Sequence, residues 1–174
     1  MTHTMIDIRN EVPDDYAAIR AVHVHAFGRH AEAHLVELLR NNQQAPIALV
    51  ATAAGQVVGQ IMFSPITVAD AFEGFRGIAL APVAILPEFQ NQGIGSKLIR
   101  YGLEACRRAG YDAVVVLGHT TYYPRFGFSR AMDYGLNNEY NAQDAFMVME
   151  LRPGTLERIG GLVKYMPAFR EASC

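Results

Sequence analysis

The stretch from Arg76 to Gly118 constrains the fold most. RGIALAPVAIL is a continuous apolar run closed by Pro87, and AVVVLG is a second such run. Unbroken apolar runs of this length read as strands covered on both faces. Between them, GSKLIRYGLEACRRAG sets Leu98, Ile99, Gly102, Leu103, Cys106 and Ala109 on one side of a helix. Lys97, Arg100, Glu104, Arg107 and Arg108 fall elsewhere, and Gly110 stops it. From Val83 to Gly118 the chain therefore reads strand, helix, strand, which calls for two parallel strands joined by a right-handed crossover.

The flanking segments add to that unit. MIDIRN alternates as a first strand, and Pro13 and Asp14 open a helix through Ile19, Val22 and Phe27. AEAHLVELLRNN repeats Leu35, Leu38 and Leu39 at helical spacing and stops at an Asn pair. ALVATAAGQVVGQIMFSPITV reads as two antiparallel strands turned at Ala54-Gly55. YYPRF reads as a short helix and AFMVMEL as a late strand, while Leu156, Ile159 and Leu162 predict a turn or two of helix in the tail. With 174 residues, 51% of them hydrophobic, one core suffices. The expectation is a single domain, 1–174, with 152–174 as a C-terminal extension packed on the body.

Charge and leader signals narrow the partners. A formal charge of -2 and the lack of a Lys/Arg run give no nucleic-acid footprint. GIALAPVAIL is about half of the ~20 residues that a bilayer span needs, and MTHTMIDIRN has no basic segment leading into an apolar one. Cys106 and Cys174 form neither a disulfide framework nor a metal spacing. A soluble, cytoplasmic protein without membrane or nucleic-acid partners is expected.

FQNQGIGSKL, opening the helix, is a phosphate-loop candidate with three readings. A P-loop needs Lys directly after its second Gly, whereas the order here is Gly95-Ser96-Lys97. A dinucleotide fingerprint needs a third Gly where Leu98 stands, and it should follow the strand without the residues from Pro87 to Gln92. The third, Q-x-x-G-x-G, is met by Gln90, Gly93 and Gly95. Backbone N–H groups from Asn91 to Ser96 would then line a turn at a helix N-terminus, where orphan donors and the helix dipole favour an anion. The plainer alternative is that two glycines only shape a strand-to-helix turn.

PVAILPEFQNQGIGSKLI, a strand, and then YYPRFGF together resemble the GNAT superfamily of N-acetyltransferases. YYPRFGF, IRNEVPDDYAAI and AFGRHAEAHLVELLR are similar to its bacterial YhbS-type members. The resemblance implies an α/β (mixed α+β) GNAT fold: a mixed, mostly antiparallel central sheet with a parallel strand pair splayed around the cofactor, flanked by helices. It implies acetyl-coenzyme A as cosubstrate and no metal. It also implies backbone hydrogen bonds from Val83, Ala84 and Ile85 to the pantetheine arm, and a pyrophosphate cradle at Asn91, Gln92, Gly93, Ile94, Gly95 and Ser96. The family's acid, a Tyr four residues before the Gly of a Gly-Phe pair, falls on Tyr123. LGHTT lacks the Asn that many members carry between that strand and the Tyr, so coenzyme A contacts of such an Asn are not carried over.

Direct transfer needs a neutral amine, a polarised carbonyl and a proton for the departing thiolate. A phenol of pKa about 10 can protonate a thiolate whose thiol lies near 8.5 to 10 at little cost; the other role for Tyr123 is a packed aromatic with a satisfied hydroxyl. A backbone N–H of Val83 to Ile85 is the natural carbonyl donor. Gly77 to Leu86 holds no carboxylate, so no base lies on it. His119, at the end of the strand parallel to the first, is the candidate base or substrate contact, or else a loop His without a role. Glu73, Glu88 and Glu32 stay open, as does an amine needing no base.

HAEAH places His30 and His34 one helical turn apart, but Ala31 stands where a zinc protease needs Glu and no third ligand is visible. His23 and His25 point in different directions on a helix, and Cys106 lies on the apolar stripe. The acceptor is expected to be an amine, on a small molecule rather than a protein, and a homodimer is an open assembly state. A non-catalytic acyl-coenzyme A sensor is the alternative from another class, and a nucleotide-dependent oxidoreductase is a weaker third.

Overall fold

In a computed structural model of the chain, residues 4–174 are described. Met1 to His3, part of the start read as lacking a leader, lie outside them. The described chain runs β1 (Ile6–Asn10), α1 (Tyr16–Phe27), α2 (Ala31–Asn41), β2 (Ile47–Ala53), β3 (Gln56–Asp70), β4 (Gly77–Ile85), α3 (Ile94–Arg108) and β5 (Ala113–Leu117). It continues through β6 (Ser129–Arg130), β7 (Leu136–Asn138), β8 (Phe146–Glu150), β9 (Gly160–Lys164) and α4 (Ala168–Glu171). The strand order is β1-β2-β3-β4-β5-β8-β6, with β9 pairing β3 and β7. No described helix is long and apolar enough to cross a membrane.

Two compact units make up the chain. The first holds the chain to Phe63, Ala81–Gly102 and Pro167–Cys174. Here β1, β2 and the start of β3 form an antiparallel ladder, Ile8 opposite Ala51 and Val50 opposite Gln60, turned at Ala54 and Gly55, both with positive φ. Asp15 joins β1 to α1: it accepts two hydrogen bonds from Arg9, at 2.7 and 2.9 Å, and one from the Val12 N–H. Gly28, in the left-handed region, ends α1 with its N–H on the Val24 carbonyl. Ile19, Val22, Leu35, Val36 and Leu39 bury the apolar sides of α1 and α2, and α4 packs against α2.

The second unit, Ser64–Leu80 and Leu103–Met166, contains the parallel pair. Gly77, Ile78 and Ala79 of β4 lie opposite Ala113, Val114 and Val115 of β5. This is the arrangement the strand-helix-strand reading requires, and the pairing begins six residues before Val83. β5 then pairs β8 antiparallel from Ala113↔Glu150 to Leu117↔Phe146.

Four expectations change. RGIALAPVAIL is covered on both faces only at Gly77–Leu80; from Ala81 to Ile85 buried residues alternate with half-buried ones, the period of a strand with one well-packed face. Ala109, past the last turn of α3, is exposed, while Leu98, Ile99, Leu103 and Cys106 are buried. Leu156 does sit in a single 3-10 turn, Thr155–Arg158, but Leu162 lies in β9, which pairs β3 with Val68 opposite Val163. Short strands β6 and β7 were not anticipated, and β7 and β9 form a second parallel pair.

Candidate active site

The first unit brings Val83, Ala84, Ile85 and the loop Asn91–Ser96 together on the end of β4 and the head of α3. Ala84 is buried, and Val83 and Ile85 are half-buried. Leu86 N–H bonds the Val58 carbonyl at 2.8 Å, so the end of β4 stays beside the start of β3. Gly59 on β3 permits this approach: a Cβ there would meet Ile85 Cδ1 at 2.6 Å, and the Ala84 carbonyl and Leu98 Cδ1 at 3.2 Å. Sequence reading passed over Gly59, whose only signal was a glycine in a strand interior.

A 3-10 turn, Pro87–Phe89, leads to the loop. Gln90 reaches back to donate to the Ile85 carbonyl at 3.0 Å, and Gln92 to the Glu88 carbonyl at 3.2 Å. Asn91 and Gly93 both have positive φ, 61° and 83°. At this end of α3 the Lys97 N–H bonds the Gly93 carbonyl at 3.1 Å, and the N–H groups of Ile94, Gly95 and Ser96 precede it at the positive end of the helix dipole. Asn91, Gln92 and Gly93 are exposed, and nothing lies within 4 Å of a Cβ placed on Gly93. The side chain of Ile94 is buried, so that residue offers a ligand its backbone alone. Lys97 is turned away, its Nζ donating to the Ile6 carbonyl at 2.7 Å. An exposed turn of N–H donors with room over its glycine fits a pyrophosphate.

The second unit brings His119 and Tyr123 together. β5 ends at Leu117, Gly118 N–H bonds the Ala145 carbonyl, and the N–H groups of Tyr122 and Tyr123 both bond the His119 carbonyl, at 3.2 and 3.3 Å. The expected short helix is a 3-10 turn, Tyr123–Phe126, closed by Gly127 at φ 108°. Tyr123 is buried, with Tyr122 and Phe128 edge-on to its ring at 5.2 and 5.7 Å. A Cβ on Gly118 would collide with Tyr123 Cε2 and come within 2.8 Å of Cδ2, so the ring lies tight against that glycine. Neither Gly118 nor Phe128 stood out in the sequence, because the clamp forms only when the turn folds β5 and β6 against one ring.

This packing bears on the Tyr123 hydroxyl. Burial, and secondarily Tyr122, push the Tyr123 phenol up to about 12. It stays protonated throughout the physiological range, but full transfer to a thiolate whose thiol lies near 8.5 to 10 is uphill by about 3–5 kcal/mol.

The other candidates separate. The His119 side chain is exposed, as are Glu73 and Glu88. Glu32 is buried and pairs through both carboxylate oxygens with the Arg29 guanidinium. His30 and His34 are exposed, and the described residues contain no group of three His, Cys, Asp or Glu able to hold a metal. Cys106 is buried, and burial pushes its thiol up to about 12, the state of an inert core cysteine.

Comparison with known proteins extends these observations. Residues 7–128 match the model of the acetyltransferase (GNAT) family. The chain is 37% identical over 164 residues to the Escherichia coli N-acetyltransferase YhbS, covering 93% of this chain and 97% of that protein. The crystal structure of YhbS in complex with CoA superposes with a TM-score of 0.89 at 34% identity, over 98% of this chain and 94% of that one. A GNAT family acetyltransferase from Brucella melitensis, solved in complex with acetyl-CoA, gives 0.79 at 37% identity over 96% and 99%. On the family match and these relatives, the fold of mostly antiparallel sheet, parallel β4-β5 pair and helices is the GNAT fold, and the chain belongs to the acetyltransferase (GNAT) family.

Proposed function

We propose that this protein is an acetyl-CoA-dependent N-acetyltransferase that moves the acetyl group to a primary amine by direct attack in a ternary complex, the whole chain 1–174 acting as one catalytic domain. The observation that carries the reading is the head of α3, an exposed turn of backbone donors with open space over Gly93, in a chain whose relatives are solved with CoA and acetyl-CoA. Asn91 to Ser96 hold the pyrophosphate through backbone N–H groups, and the backbone of Val83 to Ile85 holds the pantetheine arm and polarises the thioester carbonyl. That the family match and the relatives take in residues of both units supports the single domain.

In the reaction the amine lone pair forms the C–N bond, the C–S bond breaks with its electron pair on sulfur, and the ammonium proton leaves the nitrogen. Tyr123 donates a hydrogen bond to the sulfur as charge develops, completing proton transfer late because its phenol is a weak acid. His119, exposed and one turn ahead of Tyr123, receives the amine's proton directly or through water, or contacts the acceptor. The acceptor is a small-molecule amine.

Release of free thiol from acetyl-CoA, followed against a panel of polyamines, aminoglycosides, amino-acid amides and short peptides, tests this. Turnover with a small amine supports the reading, and turnover confined to peptides moves the acceptor to proteins. Calorimetric binding of acetyl-CoA with no turnover on any acceptor makes the domain a sensor instead.

A further inference from the structure

His23 is fully buried on α1 and has no part in the chemistry above. Its Nε2 lies 2.7 Å from Gln60 Oε1 on β3, and Gln60 Nε2 donates to Glu11 Oε1 at 3.0 Å. Glu11 is held in turn by Arg40 of α2, whose Nε and Nη2 donate to it at 2.7 and 3.3 Å and whose guanidinium lies 3.7 Å over the Tyr16 ring. The direction of every bond follows from the far end. A carboxylate only accepts, so Gln60 turns its amide nitrogen to Glu11 and its oxygen to His23. That oxygen also only accepts, so His23 carries its proton on Nε2. Nδ1 is left as a bare lone pair, buried and without a hydrogen-bond partner.

A second proton on this ring would place a charge and an N–H without a protein partner in a buried interior. The groups that face it are Glu32 and Arg40 of α2, Glu11 beyond β1 and Gln60 of β3. Glu32 is forked by Arg29 and Glu11 by Arg40, and although both carboxylates favour a charged ring, their pull is outweighed by burial. Desolvation is the largest influence and holds the His23 pKa below its ordinary value. At the helix end the cover is a partly exposed ring. Phe27 stacks parallel to the His23 ring at 6.1 Å, is itself 41% exposed, and is followed at once by the left-handed Gly28 that closes α1.

We propose that the last turn of α1, His23 to Phe27, is an acid-opened flap: proton uptake at His23 Nδ1 lifts this turn from β3 and lets water reach the ring. Lifting also breaks the relay at Gln60 and so loosens the Glu11–Arg40 wall of a cleft of about 450 Å³ that Tyr16 also lines. The closed form excludes the proton and the open form accepts it near the free-histidine value of about 6.5, so below that pH the open population rises about tenfold per unit until the closed form itself is protonated.

Nitrogen-15 NMR of histidine-labelled protein, with amide hydrogen exchange corrected for intrinsic rates, tests this from about pH 8 to 5. The expected result is a neutral Nε2–H tautomer for His23 at pH 7. Protection of the Val24 to Phe27 amides should fall about tenfold per pH unit below 6.5, while Val115 of β5 and Val148 of β8 keep theirs. His23→Gln preserves a donor to Gln60 and removes the titration, so exchange at the end of α1 should lose its pH dependence. An Nδ1–H tautomer, a charged ring at pH 7, constant protection of α1, or equal loss across β5 and β8 would each overturn the proposal. The wild-type readouts decide it even where His23→Gln does not fold.

Discussion

Asn91, Gln92 and Gly93 stand exposed at the head of α3, held by side chains that bond back to carbonyls of their own segment. Tyr123, on a 3-10 turn, is buried under Tyr122 and Phe128 with its ring tight against Gly118. One region offers backbone and leaves the space above it open; the other fixes a single side chain by surrounding it. Substitutions in the first should therefore act on ligand affinity with small structural cost, and those in the second should act on structure and chemistry together unless they spare the ring.

The largest effect is expected where the two consequences can be pulled apart. Tyr123→Phe keeps the ring and its packing, so Tm should hold while kcat for thiol release falls by about 10² to 10⁴. A drop in Tm without loss of turnover would make the hydroxyl structural and return Tyr123 to the role of a packed aromatic. Gly118→Ala should do both kinds of damage, because its Cβ cannot coexist with the ring in place. Overpacking of this sort costs about 1–3 kcal/mol, seen by calorimetry as a fall in Tm of roughly 2–12 °C for a chain of this size, with kcat reduced in parallel.

In the exposed loop, Gly93→Ala meets no neighbour but forces a side chain into φ 83°. The stability loss should be about 1 kcal/mol, and KM for acetyl-CoA should rise more than kcat falls. Equal loss in both would mean that this loop is as tightly determined as the tyrosine turn. The smallest expected effect is in the pH profile. A phenol raised to about 12 keeps its proton as pH climbs, so the acid form is lost only above that value. The alkaline side of kcat/KM should then show no decline from Tyr123 between about pH 8 and 10. A limb with an apparent pKa near 10 that disappears in Tyr123→Phe would place the phenol in a wetter setting than its packing implies.

Much of this was legible from local pattern. Apolar periodicity located α1, α2, α3 and β5; Ala54-Gly55 placed the hairpin; and FQNQGIGSKL with YYPRFGF named the family that residues 7–128 match. The elements missed, β6, β7, β9 and α4, are two to five residues long and carry no period of their own. Leu162 misled for that reason: a Leu spaced like a helix position is equally at home in a short strand, and only pairing with β3 decides. The same limit hid the histidine relay, since His23, Gln60, Glu11 and Arg40 are scattered over four segments.

The sequence by itself determined the order of the main elements, the parallel strand pair and the glycine turn at the head of α3, because each depends on residues close together in the chain and on backbone rules that hold wherever they occur. Tertiary structure alone decided how strong an acid Tyr123 is, which glycines it needs beside it, and which nitrogen of His23 holds the proton. Those properties come from desolvation and from partners far apart along the chain, and neither is written in any short stretch of residues.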